Sequence, residues 1–521
     1  MIIVRNVKMP INTDFSNFYI TLSKVLKIDA KIIKTATLYR KSIDARHKND
    51  ICFCCSFLLE LHDGEDKFLK KNRNAEIFVK KEYVWKTARS DSRPVVVGFG
   101  PAGMFAALTL SRAGLRPIVI ERGSDADTRA KQIEEFFLDG KLNPQSNVQF
   151  GEGGAGTFSD GKLNTGIKDI RCRTVLETFV SFGASDKILY EAKPHIGTDV
   201  LINVVKNIRK EIIKLGGEVF FNTCLERINT FDKKIVSVEA NGKTIDCSKV
   251  VLATGHSARD VFELLNNINV ALQQKPFAVG ARIEHLQTDI NRAMYGKFAE
   301  SEYLGAADYK LAVHLPSGRG VYTFCMCPGG KVINASSEID GIAVNGMSYS
   351  ARNLQNANSA LLVEVKPQDL MEDDIFAGVR LQKEIEQKAY NIANGSVPFC
   401  FVGDLLNQTV TDKEKVKPTV KPDTVHTDIY KVLPSFVADS IKAALPEFDK
   451  KINGFADNNA RLTFPETRSS SPIRVLRNEF YESVSLSGLY PTGEGAGYAG
   501  GIMSAAVDGM RVAEQVIDLF S

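Results

Sequence analysis

Hydrophobic and polar positions in the first 90 residues follow strand and helix periods in turn. Three runs have the alternation typical of strands, at residues 1–9, 31–43 and 51–61. Between the first two, residues 14–27 place apolar side chains at helical spacing. The order strand, helix, strand, strand predicts a small ferredoxin-like α+β lobe over residues 1–90. The polar segment 87–93 predicts a linker behind it.

A longer α/β pattern follows this lobe. Strand-like apolar runs and amphipathic helices alternate at residues 94–97, 101–113, 117–121, 198–215 and 249–253. Asn241–Gly242 predicts a hairpin turn. From about residue 270 to 465 the character changes, because strand-like runs at 320–326 and 331–335 mix with turns, and one polar helix covers 381–393. The last part, 488–520, predicts a glycine-rich turn followed by a helix that starts at Gly501.

Composition narrows the class of protein. With 44% hydrophobic and 25% charged residues the chain is typical of a globular protein. Nine cysteines in 521 residues form no disulfide framework. The sequence also shows no signal peptide and no apolar run of roughly 18 residues that would cross a membrane. These features predict a soluble cytoplasmic protein without a membrane span.

Charge is nearly balanced overall but uneven along the chain. The totals are 66 basic and 62 acidic residues, while residues 1–90 hold 18 basic and 10 acidic ones. A solvated face is the favoured explanation, because the basic residues are scattered. The alternative is that this lobe binds nucleic acid or an acidic partner. Histidines and cysteines show no spacing typical of a metal site, so no metal is predicted.

The pattern G-x-G-x-x-G occurs three times, and its first copy has the context of a dinucleotide site. A buried strand runs into Gly98, Gly100 and Gly103, and a helix begins at the third glycine. Gly98 allows the tight turn, Gly100 lets a pyrophosphate approach the backbone, and Gly103 allows close packing of helix and strand. Glu121 ends the next strand, where a carboxylate accepts hydrogen bonds from ribose hydroxyls.

The other two copies lack that context. The second contains Gly151, Gly153 and Gly156, and so many glycines near one another favour a loop that contacts a cofactor over an exposed turn. The third, Gly495, Gly497 and Gly500, precedes the C-terminal helix. It presents a helix N-terminus, which suits an anionic or electron-rich group.

Together these motifs resemble the glutathione-reductase-type FAD fold. Within it, the segments QFGEGGAGTFSDGKLNT, VYTFCMCPGG, NGMSYSARN and ETRSSSPIR resemble the bacterial FAD-dependent dehydrogenase family, whose substrate is unassigned. The resemblance covers about residues 93–521. It implies a Rossmann-type α/β FAD-binding domain, made of residues 91–268 and 466–521, with an inserted α+β substrate domain at 269–465.

The resemblance also implies the cofactor contacts. The FAD pyrophosphate would be held by Gly98, Gly100, Pro101, Ala102 and Gly103, and the adenosine by Glu121, Arg122 and the backbone at Leu225. Ala253, Thr254 and Gly255 would close over the nucleotide. The residues implied near the ribityl chain and the isoalloxazine are Phe150, Gly153, Gly154, Gly156, Gly493, Glu494, Gly501 and Ile502.

Catalytic residues are less evident from the sequence. His256 follows the strand that ends at Ala253, but a lone histidine is more often structural. Cys325 and Cys327 are candidates for a redox-active dithiol. However, residues i and i+2 share one face of a strand, where thiols are usually small packed side chains. Arg282 lies two residues from Glu284, and an ion pair between them is the plainer explanation. Arg468 or Arg474 is a candidate to bind an anionic substrate group, with solvated surface the alternative.

The sequence thus favours an FAD-dependent oxidoreductase that transfers hydride between flavin N5 and an unidentified small molecule. No second nucleotide fold is visible, so NAD(P)H, if it takes part, would bind transiently. Two alternatives remain. One is an RNA-linked flavoprotein that uses the basic lobe, and the other is a non-enzymatic flavin-binding sensor.

Overall fold

Residues 1–77 form an antiparallel four-stranded sheet with two helices. The computed structural model describes residues 1–370 and 374–520 of the chain. The sheet order is β2-β3-β1-β4, which in a βαββαβ chain is the ferredoxin-like arrangement. Phe18, Leu22 and Phe68 attach the helices to the sheet core. The elements are β1 (Ile2–Pro10), α1 (Tyr19–Leu26), β2 (Ile33–Asp44), β3 (Cys52–Leu61), α2 (Glu65–Lys71) and β4 (Ala75–Ile77).

Several boundaries in this lobe differ from the pattern-based prediction. The helix starts five residues later than predicted, because the Asp14 side chain accepts a hydrogen bond from the Ser16 amide and holds a turn. The strand predicted from residue 31 begins at Ile33, after a 3₁₀ turn over Ala30–Ile32. The helix α2 and the strand β4 were not predicted.

The connection to the next domain is longer than the predicted linker and is attached to that domain. Residues 78–94 carry no helix or strand. The Tyr83 hydroxyl donates to Glu514 at 2.6 Å, and the Ala88 amide donates to the Ala113 carbonyl. The Arg112 guanidinium lies 4.3 Å from the centre of the Trp85 ring. These contacts hold the connection against the surface instead of leaving a free tether.

A parallel sheet with helices forms the second domain, here called the parallel-sheet domain. Its first part comprises β5 (Val95–Val97), α3 (Pro101–Ala113), β6 (Ile118–Ile120), α4 (Ala126–Asp139), α5 (Ile170–Ser181), α6 (Thr198–Lys214), β7 (Glu218–Phe220), β8 (Leu225–Phe231), β9 (Lys234–Ala240), β10 (Lys243–Asp246), β11 (Val250–Leu252) and α7 (Arg259–Asn267). The strands β8, β9 and β10 make a separate antiparallel sheet. Short 3₁₀ turns cover Ala155–Phe158 and Asp186–Leu189.

A third unit, here called the seven-stranded domain, follows in the chain. It and its connections contain β12 (Leu272–Gln274), β13 (Phe277–Leu286), α8 (Gln287–Tyr295), β14 (Ala312–His314), β15 (Gly320–Cys327), β16 (Lys331–Asn334), β17 (Val344–Met347), β18 (Asn356–Val365), α9 (Ala377–Ala393), β19 (Val397–Phe401), α10 (Val402–Leu406), β20 (Thr424–His426), α11 (Ser435–Asp449), β21 (Arg461–Glu466) and β22 (Ile473–Val475). Its main sheet has the order β14-β15-β18-β13-β21-β19-β20. Phe448, Phe455 and Phe464 are fully buried in its core.

The chain then returns to the parallel-sheet domain. The strand β23 (Leu489–Pro491) pairs with β11 and completes a parallel sheet of order β23-β11-β5-β6-β7. The helix α12 (Ile502–Asp518) packs closely on α3, since a Cβ at Gly509 would lie 2.1 Å from the Ala102 carbonyl oxygen. The parallel-sheet domain is therefore built from two distant segments. No helix among the described residues is long and apolar enough to span a bilayer.

Candidate functional site

A cavity of about 450 Å³ lies between the parallel-sheet domain and the seven-stranded domain. On one side it is lined from the carboxyl ends of β5, β6 and β11, through Val97, Ile120 and Ala253. On the other it is lined by residues of β15 and by Glu466 and Arg468. The crevice at the carboxyl ends of parallel strands is where α/β folds of this type bind ligands.

Most of the residues predicted for the cofactor meet in this cavity. Those that line it are Gly98, Gly100, Pro101, Ala102, Glu121, Arg122, Phe150, Gly154, Gly156, Leu225, Ala253, Thr254, Gly255, Glu494, Gly501 and Ile502. Gly103, Gly153 and Gly493 do not. The three glycine loops, which are far apart in sequence, therefore share one space.

The three glycines outside the lining serve close packing. A Cβ at Gly103 would lie 1.9 Å from the Gly98 carbonyl oxygen. At Gly153 it would lie 2.0 Å from Thr157 Oγ1, and at Gly493 2.7 Å from the Ala102 Cβ. For Gly103 this is the packing role that the sequence predicted. For Gly153 and Gly493 the structure adds a packing role, and the cofactor contact that the resemblance implied stays a prediction.

Other glycines leave the cavity wall bare. A Cβ at Gly255, Gly500 or Gly501 would meet nothing within 4 Å, and at Gly100 only the Gly154 Cα at 3.6 Å. Side chains at these cavity-lining positions would therefore project into the cavity. Gly100 is also the N-cap of α3, so the unpaired N–H groups and the positive end of this helix face the same space. This combination fits a pyrophosphate.

Glu121 organises the backbone around the first glycine turn. The buried carboxylate accepts hydrogen bonds from the amides of Phe99 at 2.8 Å, Gly123 at 2.9 Å and Gly151 at 3.0 Å. Oε1 accepts from Gly123 and Gly151 and so uses both of its lone pairs, whereas Oε2 accepts only from Phe99 and can take one further hydrogen bond, from a ribose hydroxyl. The carboxylate thus ties the first glycine turn to the second glycine loop, a contact that the sequence did not indicate.

Arg129 of α4 holds the second glycine loop in place, and nothing in the sequence pattern indicated this role. Its fully buried guanidinium donates to the carbonyls of Asn147 at 2.8 Å, Val148 at 2.9 Å, Glu152 at 2.8 Å and Gly154 at 3.0 Å. Burial lowers the pKa of Arg129 to about 10. Four carbonyls held by one side chain fix the course of the second glycine loop. An arginine within an amphipathic helix gives no sequence signal for this role.

The predicted adenosine contact Arg122 is already partnered. Its guanidinium donates to Asp260 at 2.7 and 2.9 Å and lies 4.6 Å from the centre of the Phe150 ring. The ion pair links β6 to α7 across the cavity rim. It orients a flat cation and an aromatic ring on one side of the cavity, where both can contact a planar base.

His256 and Glu494 stand next to each other in the cavity wall. His256 Nε2 lies 3.9 Å from Glu494 Oε1, and His256 Nδ1 shares a hydrogen bond with the Ser257 hydroxyl at 3.1 Å. Burial, with the nearby charges of Arg468 and Arg259, lowers the pKa of His256 to about 3. Burial raises the pKa of Glu494 to about 7. The histidine is thus neutral at physiological pH, and the carboxyl group can gain or lose a proton there.

Arg282 forms an ion pair, but not with Glu284 as the strand spacing suggested. Its buried guanidinium donates to Glu466 at 2.7 and 3.0 Å and to Asn358 at 2.7 Å. Glu284 instead accepts hydrogen bonds from Thr419 at 2.5 Å and Asn356 at 3.1 Å. Arg282 lies behind the cavity wall and does not line it.

A buried charge cluster, here called the Glu386 cluster and formed by Glu386, Arg259 and Arg468, joins the two domains beside the cavity. Arg468 donates to the carboxylate of Glu386 at 2.7 and 2.9 Å, and Arg259 does so at 3.0 and 3.1 Å. Burial would raise the pKa of Glu386, but the two guanidinium charges outweigh it and hold the pKa at about 2. Of the two arginines that the sequence offered as anion sites, Arg468 lines the cavity, while Arg474 lies against Tyr498 and outside the lining.

Comparisons with known proteins identify the family of the chain. A pyridine nucleotide-disulphide oxidoreductase family model matches residues 92–273. A model described as FAD-dependent protein, C-terminal domain-like matches residues 276–469, and a domain of unknown function matches residues 1–59. An uncharacterized protein of Clostridium beijerinckii is 46% identical over 528 residues, which cover 99% of this chain and 98% of that protein.

Solved structures show more distant likenesses. The flavin-dependent brominase Bmp2 is 12% identical with a TM-score of 0.37, and the match covers 82% of this chain and 79% of that one. L-amino acid deaminase from Proteus vulgaris is 12% identical with a TM-score of 0.35, over 85% of this chain and 96% of that one. With two of its domains matched by models of flavin- and nucleotide-dependent enzymes, and with a close relative matched over nearly its whole length, the chain belongs to an FAD-dependent oxidoreductase family that includes the clostridial protein.

Proposed function

We propose that the protein passes hydride between the flavin of bound FAD and a small molecule held against the seven-stranded domain. The observation that carries this proposal is a single cavity with two different sides. The three glycine loops line it from the parallel-sheet domain, and polar and reactive side chains of the seven-stranded domain line the opposite side. Bound FAD would supply the two-electron chemistry.

The residues of the parallel-sheet domain would bind and orient the cofactor. The amides at the start of α3 would hold the pyrophosphate at the Gly100 turn, and Glu121 would accept from the ribose. The bare backbone at Gly255 and Gly501 would allow close approach of flat or extended parts of the cofactor. The wall from the seven-stranded domain would exclude water and bind the substrate.

Glu494 and His256 would manage the proton that accompanies hydride transfer. Glu494 can hold or release a proton at Oε1 near neutral pH, whereas His256, with its pKa near 3, would stay neutral and orient the carboxyl group or the substrate by hydrogen bonding. The 3.9 Å between His256 Nε2 and Glu494 Oε1 keeps the neutral imidazole beside the carboxyl group that would carry the proton. A pyridine nucleotide acting as electron donor would enter and leave in each turnover.

The test is anaerobic reduction of the purified protein, followed by its flavin spectrum. We expect a yellow protein, or one that becomes so when FAD is added, whose spectrum is bleached by one class of metabolite and restored by an acceptor. A protein that gains no flavin spectrum with FAD contradicts cofactor binding at this cavity. A bound flavin that no donor reduces favours a sensor over an enzyme and contradicts the proposed activity.

A further inference from the structure

The strand β15 carries a bulge at its two cysteines. Phe324 pairs with Ala360 of the neighbouring strand β18, and Cys327 pairs with Asn358. Between these two pairs β15 advances by three residues while β18 advances by two, so β15 contains one extra residue. Cys325 has φ +44°, in the left-handed region that residues with a Cβ adopt at a cost. Bulges re-aim side chains, and they are frequent beside active sites.

The bulge overturns the expectation that both thiols are packed on one face. Phe324, Cys325 and Met326 all line the cavity. Cys327 is fully buried and lies outside the lining, just behind Cys325. Cys325 therefore belongs to the cavity wall, and Cys327 lies behind it with its Sγ 3.2 Å from the Cys325 carbonyl oxygen.

Arg282 holds this geometry. Its guanidinium donates to the Cys325 carbonyl at 3.2 Å and approaches Cys327 Sγ at 3.9 Å, while Cys327 Sγ donates to the same carbonyl at 3.2 Å. The cation thus fastens the bulged backbone at the Cys325 carbonyl and places a positive charge 3.9 Å from Cys327 Sγ. Glu466 pairs with the other side of the guanidinium and keeps it fixed.

The electrostatics separate Cys325 from the other cysteines. The side chain of Cys327, together with the positive charges of Lys162 and Arg282, lowers the pKa of the Cys325 thiol below its usual range, whereas burial raises the pKa of Cys327. Burial likewise raises the pKa of Cys55 and Cys247 to about 12. A thiol with a lowered pKa in a cavity has the surroundings of a reactive cysteine, because the thiolate is the nucleophile.

We propose that Cys325 and Cys327 form a thiol–disulfide exchange site, whose substrate is a low-molecular-weight organic disulfide entering the cavity. The Cys325 thiolate attacks one sulfur of R–S–S–R, which forms a Cys325–S–S–R bond and releases RS⁻. Cys327 then loses its proton and attacks Cys325 Sγ, which forms the Cys325–Cys327 disulfide and releases the second RS⁻. The two cysteines lose two electrons and two protons, and the organic disulfide gains them as two thiols.

The experiment uses the full-length protein loaded with FAD, reduced and freed of reductant, then treated with hydroxyethyl disulfide. We expect the wild-type mass to fall by two hydrogens, with peptide mapping that places a disulfide between Cys325 and Cys327. Cys327→Ser should instead gain one hydroxyethylthio group at Cys325. Cys325→Ser and Cys325→Ala should show neither change, and Cys224→Ser should behave as the wild type does.

Two results would overturn the proposal. One is a wild-type protein that keeps both thiols free, and the other is a Cys327→Ser variant that carries the adduct on a different cysteine. The flavin spectrum and circular dichroism of each variant show whether it is folded. The thiol–disulfide exchange is measured by protein mass and flavin reduction by the absorption spectrum. A negative result in one measurement can therefore be distinguished from a negative result in the other.

Discussion

Replacing Glu386 tests whether the Glu386 cluster holds the two domains together. Glu386→Gln keeps the size of the side chain but removes the charge that Arg259 and Arg468 share. These arginines come from α7 and from the segment after β21, while Glu386 belongs to α9. The substitution therefore leaves two buried guanidinium groups without their main partner at the junction beside the cavity.

The size of the effect follows from the pKa. The Glu386 pKa falls from its ordinary 4.5 to about 2, which corresponds to about 3 kcal/mol of unfolding free energy. Removing one partner of a buried pair costs about 3–5 kcal/mol. Glu338 still lies 2.9 Å from Arg259 and 3.5 Å from Arg468, so the lower end of that range, about 3 kcal/mol, is expected.

The pH dependence has a definite sign. Because the folded-state pKa is below the unfolded one, the charged carboxylate contributes its full stability above about pH 4.5, and this contribution is lost as the pH falls towards 2. The gap between wild type and Glu386→Gln should therefore narrow over that window.

The assay is urea unfolding followed by circular dichroism and flavin fluorescence, at pH 7 and at several values below pH 5. Glu384→Gln, an exposed position on the same helix, is the matched control and should change the unfolding free energy by less than about 0.5 kcal/mol. A loss below about 1 kcal/mol for Glu386→Gln at pH 7, or a gap that stays constant down to pH 2, would refute the reasoning.

Three other substitutions probe the cavity. Gly100→Val should abolish FAD retention because its side chain enters the cavity, whereas exposed Gly166→Val should keep it, as equilibrium dialysis would show. Arg129→Met leaves four carbonyls without their donor and should cost about 3 kcal/mol of unfolding free energy and weaken FAD binding, both read from thermal unfolding with and without FAD. His256 should show no imidazole titration by NMR between pH 5 and 8, since its pKa lies near 3; a midpoint near 6.5 would contradict its burial.

The order of strand, turn and helix around the first glycine turn could be predicted from the sequence, because residues close together in the chain determine it. A strand of three valines, the turn at Gly98 and Gly100, and the helix α3 follow each other within 20 residues, and the periods of their side chains are distinct. The mistakes at helix and strand ends have local causes too, as in the turn held by Asp14. They are harder to predict because one side-chain hydrogen bond decides them.

The contacts that complete the site connect distant parts of the chain. Arg129 meets carbonyls of a loop that follows it, Arg282 meets Glu466 across 184 residues, and Glu386 meets Arg259 across 127. The periodicity of hydrophobic residues predicts which face of a helix or strand is buried. It does not predict which charged side chain from another segment packs against that face. The prediction of an ion pair between Arg282 and Glu284 was wrong for this reason.

The sequence by itself determined a dinucleotide-binding glycine turn and the presence of three glycine loops, because these follow from short-range spacing and backbone freedom at glycine, while FAD as the dinucleotide was implied by the resemblance of the longer motifs. The tertiary structure alone decided that the three loops share one cavity, which glycines face it, and that a bulge in β15 turns Cys325 into it. The physical reason is that these features depend on the register of paired strands and the docking of separate segments, which local pattern does not encode.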